Sequence, residues 1–576
     1  MPPPNLPKQT LLTKFIPILS WLRHYPKQDF NSDVFAGIIT AILFVPQGIA
    51  YAMLAGLPAQ VGLYASILPP LIYAFLGTSR TLSVGPVSIA AIMIASALTA
   101  PELAALGTPV EHAIILAVEG GLILLAMAVF RMGGLVKFIS HPVLSGFTTG
   151  ASILIVFSQL PHLLGLNKQQ CGYDIACNMG TMNIYAAGLG IFSMVLLLLM
   201  GKPLTRTLKS MQLRESLVTG ISKTAPLLTV IITTSVVSFF HLYDMQQVAI
   251  VGEIPKGLPD LSLSFLANSK EHWIALLPSA IFISVIAYVE SVAIALVTAN
   301  LRNEKISTNQ ELIALGTANI ATAISGGMSV AGGFSRTMVN FSAGARTQLA
   351  MIIAVILLAL ALLSFTEQFT HIPKAALAAI ILVAIAPLIK FREIITTLKY
   401  DRADATTQTI TLLAVLFLGI EEGIALGVIV TIIAFLQRTS LPHIAVTGQV
   451  GDSEQFRNVG RHEVTTWPNL LLIRIDENIT FANITYITDF ISAQIDNKPE
   501  LEHVVLQFGS VSYVDITAFE TLFSYIEALD TRNITVNLAD VKGPVMDKFK
   551  KMDLDHHLMK GQVFFHSIDA IKALAK

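Results

Sequence analysis

The chain has 576 residues, of which 53% are hydrophobic and only 13% are charged, and its mean hydropathy is +0.67. This composition excludes a soluble globular protein of the same length and predicts an integral membrane protein. The formal net charge of −1 gives no strong field, so nucleic acid is not expected among the partners.

Apolar runs of spanning length fill most of the chain after a polar start. Residues 1–33 are predicted to be a cytoplasmic lead-in, and residues 21–33 within it are expected to lie at the membrane interface. A bilayer core requires about 20 apolar residues. Runs that approach this length occur at residues 34–53, 60–77, 112–130, 138–160, 183–200, 218–240, 273–299, 308–325, 347–365, 373–389, 406–420 and 423–437. The pattern predicts an α-helical membrane protein.

Two further apolar segments are too short to span the membrane, and a helix-breaking sequence precedes each. Residues 83–88 read Ser-Val-Gly-Pro-Val-Ser, and residues 329–336 read Ser-Val-Ala-Gly-Gly-Phe-Ser-Arg. Glycine is costly inside a helix and proline is preferred at a first helical position, so Pro86 and Phe334 are expected to begin half-helices. Such starts present free N–H groups and a positive end of about half a charge, which can bind an anion beside Arg336. The alternative is a loop with an interfacial arginine.

The segments divide into two halves of similar layout. Residues 34–438 are predicted to be a transmembrane transport domain built from repeats at about 34–243 and 272–438, each with about seven segments and a short one third in line. This is typical of an inverted-repeat transporter, since seven crossings place the second half upside down. Gln47 and Glu290 precede their breakers by similar distances, so they are expected to be repeat-related. With both termini cytoplasmic, nearly all basic loop residues fall on the cytoplasmic side.

The character of the chain changes after the last apolar run. Residues 439–455 are predicted to be a linker and residues 456–576 a small cytoplasmic α/β domain. Its predicted strands and helices alternate at residues 470–475, 481–495, 504–508, 517–529, 534–538, 546–552, 563–566 and 568–574. Asp515 is expected to cap a helix, and Thr517 would be exposed in its first turn, where the helix dipole tolerates a phosphate. Capping without regulation is the alternative.

Polar side chains inside the spans are the candidate functional residues. Glu290 lies deep in a spanning helix, where a carboxylate is costly unless it is protonated, paired or beside water. It is expected to take a proton or to offset Arg336, and a structural pairing with a neighbouring helix is the alternative. Gln47 and Tyr51 share one face of the first helix, where the Gln47 amide could donate to an anion or bond a neighbouring helix.

Other polar groups leave their roles open. Ser88 and Ser335 sit just inside the expected half-helix starts, where a hydroxyl can donate to a ligand or cap its own helix. Cys171 and Cys177 lie close together in a polar loop, either as a disulfide or as two free thiols. The sequence has no metal-ligand cluster, nucleophile motif or phosphate-binding glycine loop. Enzymatic activity, a metal site and a cofactor are therefore not predicted.

Four runs of the sequence are distinctive as motifs. They read Val-Pro-Gln-Gly-Ile-Ala-Tyr-Ala-Met-Leu-Ala-Gly-Leu-Pro at residues 45–58, Gly-Leu-Tyr-Ala-Ser at 62–66, Gly-Thr-Ser-Arg-Thr-Leu-Ser-Val-Gly-Pro-Val at 77–87 and Phe-Ser-Arg-Thr at 334–337. These runs resemble the signatures of the sulfate permease (SulP) family of anion transporters. The likeness covers nearly the whole chain, including a tail similar to a STAS domain.

The resemblance implies a fold and a site. It implies fourteen membrane segments in a seven-plus-seven inverted repeat, divided into core and gate domains, in a homodimer whose core moves against the gate as an elevator. It also implies an anion held between the third and tenth segments and lined from the first. The residues expected to bind it are Gln47, Tyr51, Val87, Ser88, Phe334, Ser335 and Arg336.

The resemblance also bears on coupling. Glu290 matches the family's acidic position in the eighth segment, as in proton-linked members. Sodium-coupled bicarbonate members instead carry aspartate there and a hydroxyl residue four positions later, where this chain has Ile294, so sodium is the less expected coupling ion. The tail reads Asp-Ile-Thr-Ala from Asp515, which departs from the family's more usual Asp-Ser/Thr-Ser/Thr-Gly and weakens the case for phosphorylation of Thr517.

The expected function is proton-coupled uptake of sulfate across a bacterial inner (plasma) membrane. Bicarbonate transport, chloride exchange and dicarboxylate transport remain alternatives within the family. An anion channel, or an anion sensor that signals to a cytoplasmic protein bound by the STAS domain, would be a different class of function.

Overall fold

Long apolar helices form most of the chain, and a smaller unit with a β-sheet follows them. The structure, a computed structural model, describes residues 16–166, 182–211 and 224–576, without residues 24, 101, 102, 104, 138, 139 and 365. The chain divides into two compact units, and the boundary between them lies after Val428.

The first half of the membrane unit is a series of crossing helices. They are α1 (Lys27–Leu54), α2 (Ala59–Tyr64), α3 (Leu68–Leu76), α4 (Ser88–Ala97), α5 (Pro109–Val129), α6 (His141–Leu164), α7 (Ile184–Met200) and α8 (Ala225–Phe239). Helices α2 and α3 together make one segment, which breaks where Pro69 and Pro70 remove backbone donors. Short helices lie beside these at Ile18–Leu22, Met132–Lys137, Lys202–Ser210 and Leu242–Met245.

The second half repeats the series. Its helices are α9 (Lys270–Leu301), α10 (Thr308–Ile324), α11 (Phe334–Ser342), α12 (Leu349–Ser364), α13 (Lys374–Ile385), α14 (Arg402–Phe417) and α15 (Ile420–Ser440). Short helices lie at Ser264–Ala267, Thr366–Thr370, Ala386–Leu388 and Phe391–Tyr400. Within the described residues each half thus has seven segments, which confirms the predicted fold class.

Helix α1 begins earlier than the sequence indicates. Its first residue, Lys27, lies inside the stretch 1–33 that was expected to be a lead-in. Pro26 precedes the helix in an extended conformation, and Asp29 places a negative charge in the first turn, where the helix dipole favours it. Hydropathy detects only the apolar part of a span, so the polar first turns of α1 were assigned to the interface.

Helices α4 and α11 are the two short segments that the sequence predicts. Each follows a two-residue strand, β1 (Val84–Gly85) or β2 (Ala331–Gly332), and the two strands pair antiparallel. Helix α11 begins at Phe334, as expected, but α4 begins at Ser88 rather than at Pro86. Because the strand pairing keeps the backbone extended up to Pro86, helical geometry starts only after it.

The membrane helices pack as two groups. One group contains α1, α3, α5, α9, α10 and α12, and the other contains α6, α7, α13 and α14. The half-helices belong to the first group, because α4 packs against α9 and α11 packs against α1. Helix α13 contacts α1 and so lies where the two groups meet. The groups correspond to the predicted core and gate.

The second unit is a six-stranded sheet covered by helices. Its strands are β3 (Ile444–Gln449), β4 (Phe456–Asn458), β5 (Leu470–Ile475), β6 (His503–Gln507), β7 (Thr535–Ala539) and β8 (Val563–Phe564). Its main helices are α16 (Ile484–Asp496), α17 (Ile516–Thr531), α18 (Gly543–Lys551) and α19 (Ser567–Leu574), with a short helix at Leu554–His557. The order is β4-β3-β5-β6-β7-β8, and β5 to β8 are parallel. Leu471 packs with the apolar residues of α16 and α17, whereas Leu470 packs with those of α19, so both faces of the sheet are covered.

The α/β unit starts before the predicted boundary. Strand β3 lies within residues 439–455, the stretch expected to be a linker, and it pairs with β5 so that Ile444 faces Ile475. Helix α15 ends at Ser440, which leaves residues 441–443 between the last helix and the sheet. Strand β3 ends in Thr-Gly-Gln, so its sequence does not form the apolar run by which strands β5 to β8 were predicted.

Candidate functional site

Polar side chains of α9 and α10 hold strand β2 in place. The Ser291 hydroxyl accepts the N–H of Gly332 at 2.8 Å. The Asn319 side chain accepts the N–H of Val330 at 2.9 Å and donates to its carbonyl at 3.0 Å. Because buried backbone groups need partners, these bonds fix the strand from which α11 starts.

Side chains of α11 in turn hold the loop that leads to α4. The N–H of Ser83 donates to the Thr337 hydroxyl at 3.0 Å, and the Asn340 amide donates to the Thr81 carbonyl at 3.0 Å. The N–H of Gly333 donates to the Ser83 carbonyl at 3.0 Å. Two half-helix starts that are far apart in sequence are thereby joined by direct hydrogen bonds.

Arg336, in the first turn of α11, is the most unusual buried side chain of this region. It is 1% exposed, and its guanidinium donates through Nη1 to Gln47 Oε1 at 3.2 Å. Its Cζ lies 5.2 Å from the centre of the Phe44 ring. A Cβ added at Gly85 or Gly333 would stand 3.0 Å or 3.2 Å from Nη2, so both glycines make room for the guanidinium. Its Nε and Nη2 atoms have no hydrogen-bond partner among the residues that the structure describes.

The charge of Arg336 has no carboxylate partner in the described part of the chain. Arg336 makes no hydrogen bond or ion pair with Glu290, and the Glu290 Oε2 atom is buried without a partner. The two side chains therefore form no direct ion pair, and the expectation that Glu290 takes a proton or offsets the charge of Arg336 stays a prediction. A buried and unpaired cation is costly, and a bound anion would remove that cost.

Arg336 and Glu290 line the same cavity, whose volume is about 60 Å³. That space holds a few water molecules or one small polyatomic ion. The cavity brings together every residue predicted for binding or coupling, namely Gln47, Tyr51, Val87, Ser88, Glu290, Phe334, Ser335 and Arg336. Their roles in binding and coupling remain predictions.

The gate supplies a wall that the sequence did not indicate. Ala384 and Ile385 of α13, with Leu388 just after it, close one side of the cavity with apolar surface. They lie in an ordinary apolar run, so nothing in the sequence distinguishes them from lipid-facing residues. The cavity thus lies between the core, which carries the charged groups, and the gate.

The first turns of both half-helices face the cavity. The residues before them are Val87 and Gly333, and neither helix has a side-chain capping hydrogen bond. Ser88 and Ser335 are the first and second residues of their helices rather than the N-caps, and their role stays a prediction. First-turn N–H groups of an uncapped helix remain available to a ligand, and the dipole favours an anion there.

The Gln47 amide is oriented by its bond to Arg336. Its side-chain oxygen accepts from the guanidinium, so its NH₂ group is the part that can donate into the cavity. Two helix N-termini, one guanidinium and one amide thus converge on a small space with no negative charge except that of Glu290 when it is ionised. This arrangement suits a small oxyanion.

The sequence analysis did not single out the buried carboxylates of α5 and α10. Glu311 of α10 accepts from the backbone and hydroxyl of Thr78, at 2.8 and 2.5 Å, and from the Tyr73 hydroxyl at 2.6 Å, so it is a structural anchor. Glu119 of α5 is 5% exposed and its Oε2 has no partner. It lies within an apolar run, and the reasoning applied to Glu290 would have identified it.

The predicted regulatory residues lie at the start of α17 in the second unit. Asp515 is the N-cap, as expected, because its Oδ1 accepts the N–H of Ala518 at 2.8 Å. Its Oδ2 accepts the N–H of Phe481 at 2.8 Å. Thr517 is exposed, and its regulatory role stays a prediction. Cys171 and Cys177 lie outside the described residues.

Comparison with known sequences gives matches over both units. The Sulfate permease family profile matches residues 30–411, and the STAS domain profile matches residues 461–572. Sulfate transporter 4.1, chloroplastic, from Arabidopsis thaliana is 33% identical over 553 residues, which are 91% of this chain and 77% of that protein. High affinity sulfate transporter 2 from Stylosanthes hamata is 29% identical over 585 residues, 97% of this chain and 86% of that protein.

Solved structures show the same fold. The murine anion transporter Slc26a9, in the inward-facing state, matches with a TM-score of 0.86 at 21% identity, over 99% of this chain and 96% of that chain. The transmembrane domain of the cyanobacterium bicarbonate transporter BicA matches with a TM-score of 0.58 at 21% identity, over 71% of this chain and 98% of that chain. At this identity the likeness establishes architecture alone.

Proposed function

Because the chain belongs to the sulfate permease family, a family of membrane transporters, we propose that it is a secondary active transporter that takes up sulfate together with protons. The names of the curated relatives favour sulfate among the small oxyanions. The observation that carries the proposal is the guanidinium of Arg336, which is buried, has two unpartnered nitrogens and lines a small cavity.

An anion in this cavity would complete the hydrogen bonding of Arg336. Hydrogen bonds to a charged group contribute about 1.5–3 kcal/mol each, and they are strongest where water is excluded. The first-turn N–H groups of α4 and α11 and the Gln47 amide would bind the remaining oxygens. The apolar gate wall, which includes Ile385, would strengthen these contacts by lowering the local dielectric.

Glu290 would link proton binding to anion binding. Its ionised form would repel an anion in the shared cavity, whereas its neutral form would not. Protonation therefore favours the anion, and by reciprocity the anion favours protonation. Ile294, one turn along α9, offers no oxygen ligand, so sodium is the less favoured coupling ion.

Transport would require the cavity to open alternately to the two sides. The charged groups belong to the core and the opposing wall belongs to the gate, so movement of one group against the other would carry the anion with the core. This is the elevator mechanism. We further propose a homodimer in a bacterial inner membrane, with both termini cytoplasmic and the STAS domain available to a cytoplasmic partner.

Uptake of labelled sulfate into proteoliposomes with an inward proton gradient tests the proposal. Wild type should accumulate sulfate, and Glu290→Gln should lose accumulation while it retains exchange of internal for external sulfate. Glu271→Gln, an exposed acid on the same helix, is the matched control and should behave as wild type. Unchanged accumulation by Glu290→Gln would refute the coupling role.

The same preparation separates the rival functions. No sulfate uptake under any gradient, with uptake of bicarbonate, chloride or a dicarboxylate instead, would overturn the substrate assignment. Currents in planar bilayers at rates beyond those of a carrier would indicate a channel. A sensor would show sulfate-dependent binding of a cytoplasmic protein without flux.

A further inference from the structure

Glu119 is a buried acid that takes no part in the proposed binding of the anion. It lies in the middle of α5 and is 5% exposed, and within the described ranges of the chain its Oε2 atom has no hydrogen-bond partner. It does not line the cavity that contains Arg336 and Glu290. An ionised carboxylate is costly at such a position, so the side chain is expected to carry a proton at rest.

A pair of histidines lies at the start of the same helix. His112 Nδ1 of α5 and His272 Nε2 of α9 are 2.5 Å apart, and the two rings meet edge to face at 82°. His112 and His272 are 3% and 1% exposed. His112 also hydrogen-bonds the backbone of Leu103. Between two neutral imidazoles only one of the facing nitrogens can carry the hydrogen, so the pair shares one proton.

Helical geometry aligns these groups along two packed helices. Glu119 follows His112 by seven residues, which returns it to the same side of α5 about 10 Å further along. Glu290 follows His272 by eighteen residues, which is five turns of an ideal helix and returns it to about the same side of α9, although Pro278 lies between them. The two helices run parallel, because they meet at the histidine pair near both N-terminal ends and again at Gly120 and Ser284 further along.

A second contact fixes the relative depth of the two acids. A Cβ added at Gly120 would stand 2.8 Å from the Ser284 hydroxyl oxygen, so Glu119 lies at about the level of Ser284. Glu290 is six residues further along α9, about 9 Å deeper. Counted from the N-terminal ends of α5 and α9, the histidine pair therefore comes first, Glu119 lies deeper and Glu290 lies deepest.

The other titratable groups on these helices are already bonded or exposed. Helix α5 packs mainly against α9, α10 and the short helices Met132–Lys137 and Ser264–Ala267. The titratable side chains described on α5, α9 and α10, besides the four considered above, are Glu111, Lys270, Glu271, Tyr288 and Glu311.

Each of these five has a structural or surface position. Glu111 closes the capping box of α5, and Lys270 and Glu271 are exposed. The Tyr288 hydroxyl shares its one hydrogen between the carbonyls of Gly133 and Thr308, and Glu311 accepts hydrogen bonds from four donors. None of the five is, like Glu119, a buried acid with an oxygen that lacks a hydrogen-bond partner among the described residues.

We propose that Glu119 is a second proton-binding site and that His112 and His272 pass protons to it on the way to Glu290. The route rests on the proposed proton coupling and, with cytoplasmic termini, runs inward from the outer face. A proton added to the outer nitrogen of one imidazole moves the shared hydrogen onto the facing nitrogen of the other imidazole, which then releases the hydrogen of its own outer nitrogen. The protonated Glu119 first gives its proton, through water, to the Glu290 carboxylate, and the Glu119 carboxylate that remains then takes up, again through water, the proton released by the histidine pair. Each step moves one proton, and no bond other than O–H or N–H changes.

The test uses the full chain in proteoliposomes and compares Glu119→Gln with Glu271→Gln as the control. Proton-driven sulfate accumulation should fall at least tenfold in Glu119→Gln, while sulfate exchange at equal internal and external pH stays within twofold of wild type. Glu119→Asp, which keeps the acid, should recover a substantial part of the loss. His272→Gln should slow proton-driven uptake and also spare exchange. Wild-type accumulation and pH dependence in a folded Glu119→Gln variant would overturn the proposal.

Infrared difference spectra separate this proposal from the proposed function. A protonated carboxylic acid absorbs at a different infrared frequency from an ionised carboxylate. A carboxylic-acid band present in wild type and absent in Glu119→Gln would therefore assign the proton to this residue, even if the protein shows no proton-driven uptake. The absence of such a band at every pH at which the protein is folded would contradict the site. If Glu119→Gln fails to fold, wild type is compared with Glu119→Asp instead. A carboxylic-acid band that belongs to residue 119 should then change in frequency or in the pH range over which it appears. A band unchanged in both would contradict the assignment.

Discussion

Replacement of Arg336 by methionine separates a ligand-binding role from a structural one. The guanidinium is 1% exposed, and in the part of the chain that the structure describes it bonds only Gln47 and keeps two nitrogens unpartnered. A structural arginine would stabilise the protein on its own. Arg336 instead leaves a buried charge uncompensated until an anion binds, which costs several kcal/mol in the free protein.

The expected magnitude follows from the two unpartnered nitrogens. If each donates to sulfate at about 1.5–3 kcal/mol, Arg336→Met loses about 3–6 kcal/mol of binding, or about 10²–10⁴ in Kd. Without sulfate the unfolding temperature of Arg336→Met should equal or exceed that of wild type. Thermal unfolding in detergent with and without sulfate, together with equilibrium binding of labelled sulfate, measures both quantities.

Arg302→Met is the matched control for this experiment. Arg302 lies over the Phe341 ring at 4.4 Å, near the end of α9 and outside the cavity. Its replacement should leave the sulfate-induced rise in unfolding temperature intact. A sulfate-free Arg336→Met protein that unfolds several degrees lower and still responds to sulfate would refute the reasoning.

Two further predictions concern packing and the α/β unit. Gly62→Ala should destabilise the protein by at least about 3 kcal/mol and abolish uptake, because the new Cβ would stand 1.9 Å from the Gly48 carbonyl oxygen. Gly188→Ala should not destabilise it, because the described residues beyond its own stretch of helix place no atom within 4 Å of the new Cβ. Burial alone would raise the pKa of Asp476, but hydrogen bonds from Arg474 lower it below its usual range. Asp476→Asn should therefore lower the unfolding temperature of the α/β unit at pH 7, and the difference from wild type should vanish as the pH falls below about 4.

The sign of the last prediction follows from linkage. A carboxyl group whose pKa is lower in the folded protein stabilises it above the unfolded pKa and loses that effect as the pH falls through the folded pKa. The measurement is a series of thermal unfolding curves of the full chain and of Asp476→Asn across this range. An unfolding-temperature difference that grows toward acid pH would contradict the assignment.

The membrane fold was predictable because the bilayer sets the length of each span. Hydropathy located the spans closely, and the glycines near Gly332 marked one interruption. Hydropathy did not show that α1 begins at Lys27, because polar helical turns precede the apolar run. The helix start expected at Pro86 was also wrong, because a strand precedes it and α4 begins at Ser88. Strand β1 was not predictable, since two residues carry no periodicity and its partner lies far along the chain.

The sequence predicted the charged and polar residues that line the cavity, but not its apolar wall. Glu290 and Arg336 stand out because charges are rare inside apolar runs, and the family motifs identified their companions. Asn319 and Glu311 were missed because their roles depend on contacts with distant loops that no local pattern shows. Ile385 was missed because an apolar wall has the same sequence as a lipid-facing surface.

A structure of the protein with bound selenate tests the central claim most directly, since selenate has the shape and charge of sulfate and its selenium can be located by anomalous scattering. The account predicts one selenium peak between the N-terminal turns of α4 and α11, within hydrogen-bonding reach of Arg336, and no such peak in Arg336→Met. A peak elsewhere in the membrane unit, or none at a selenate concentration that saturates uptake, would contradict it.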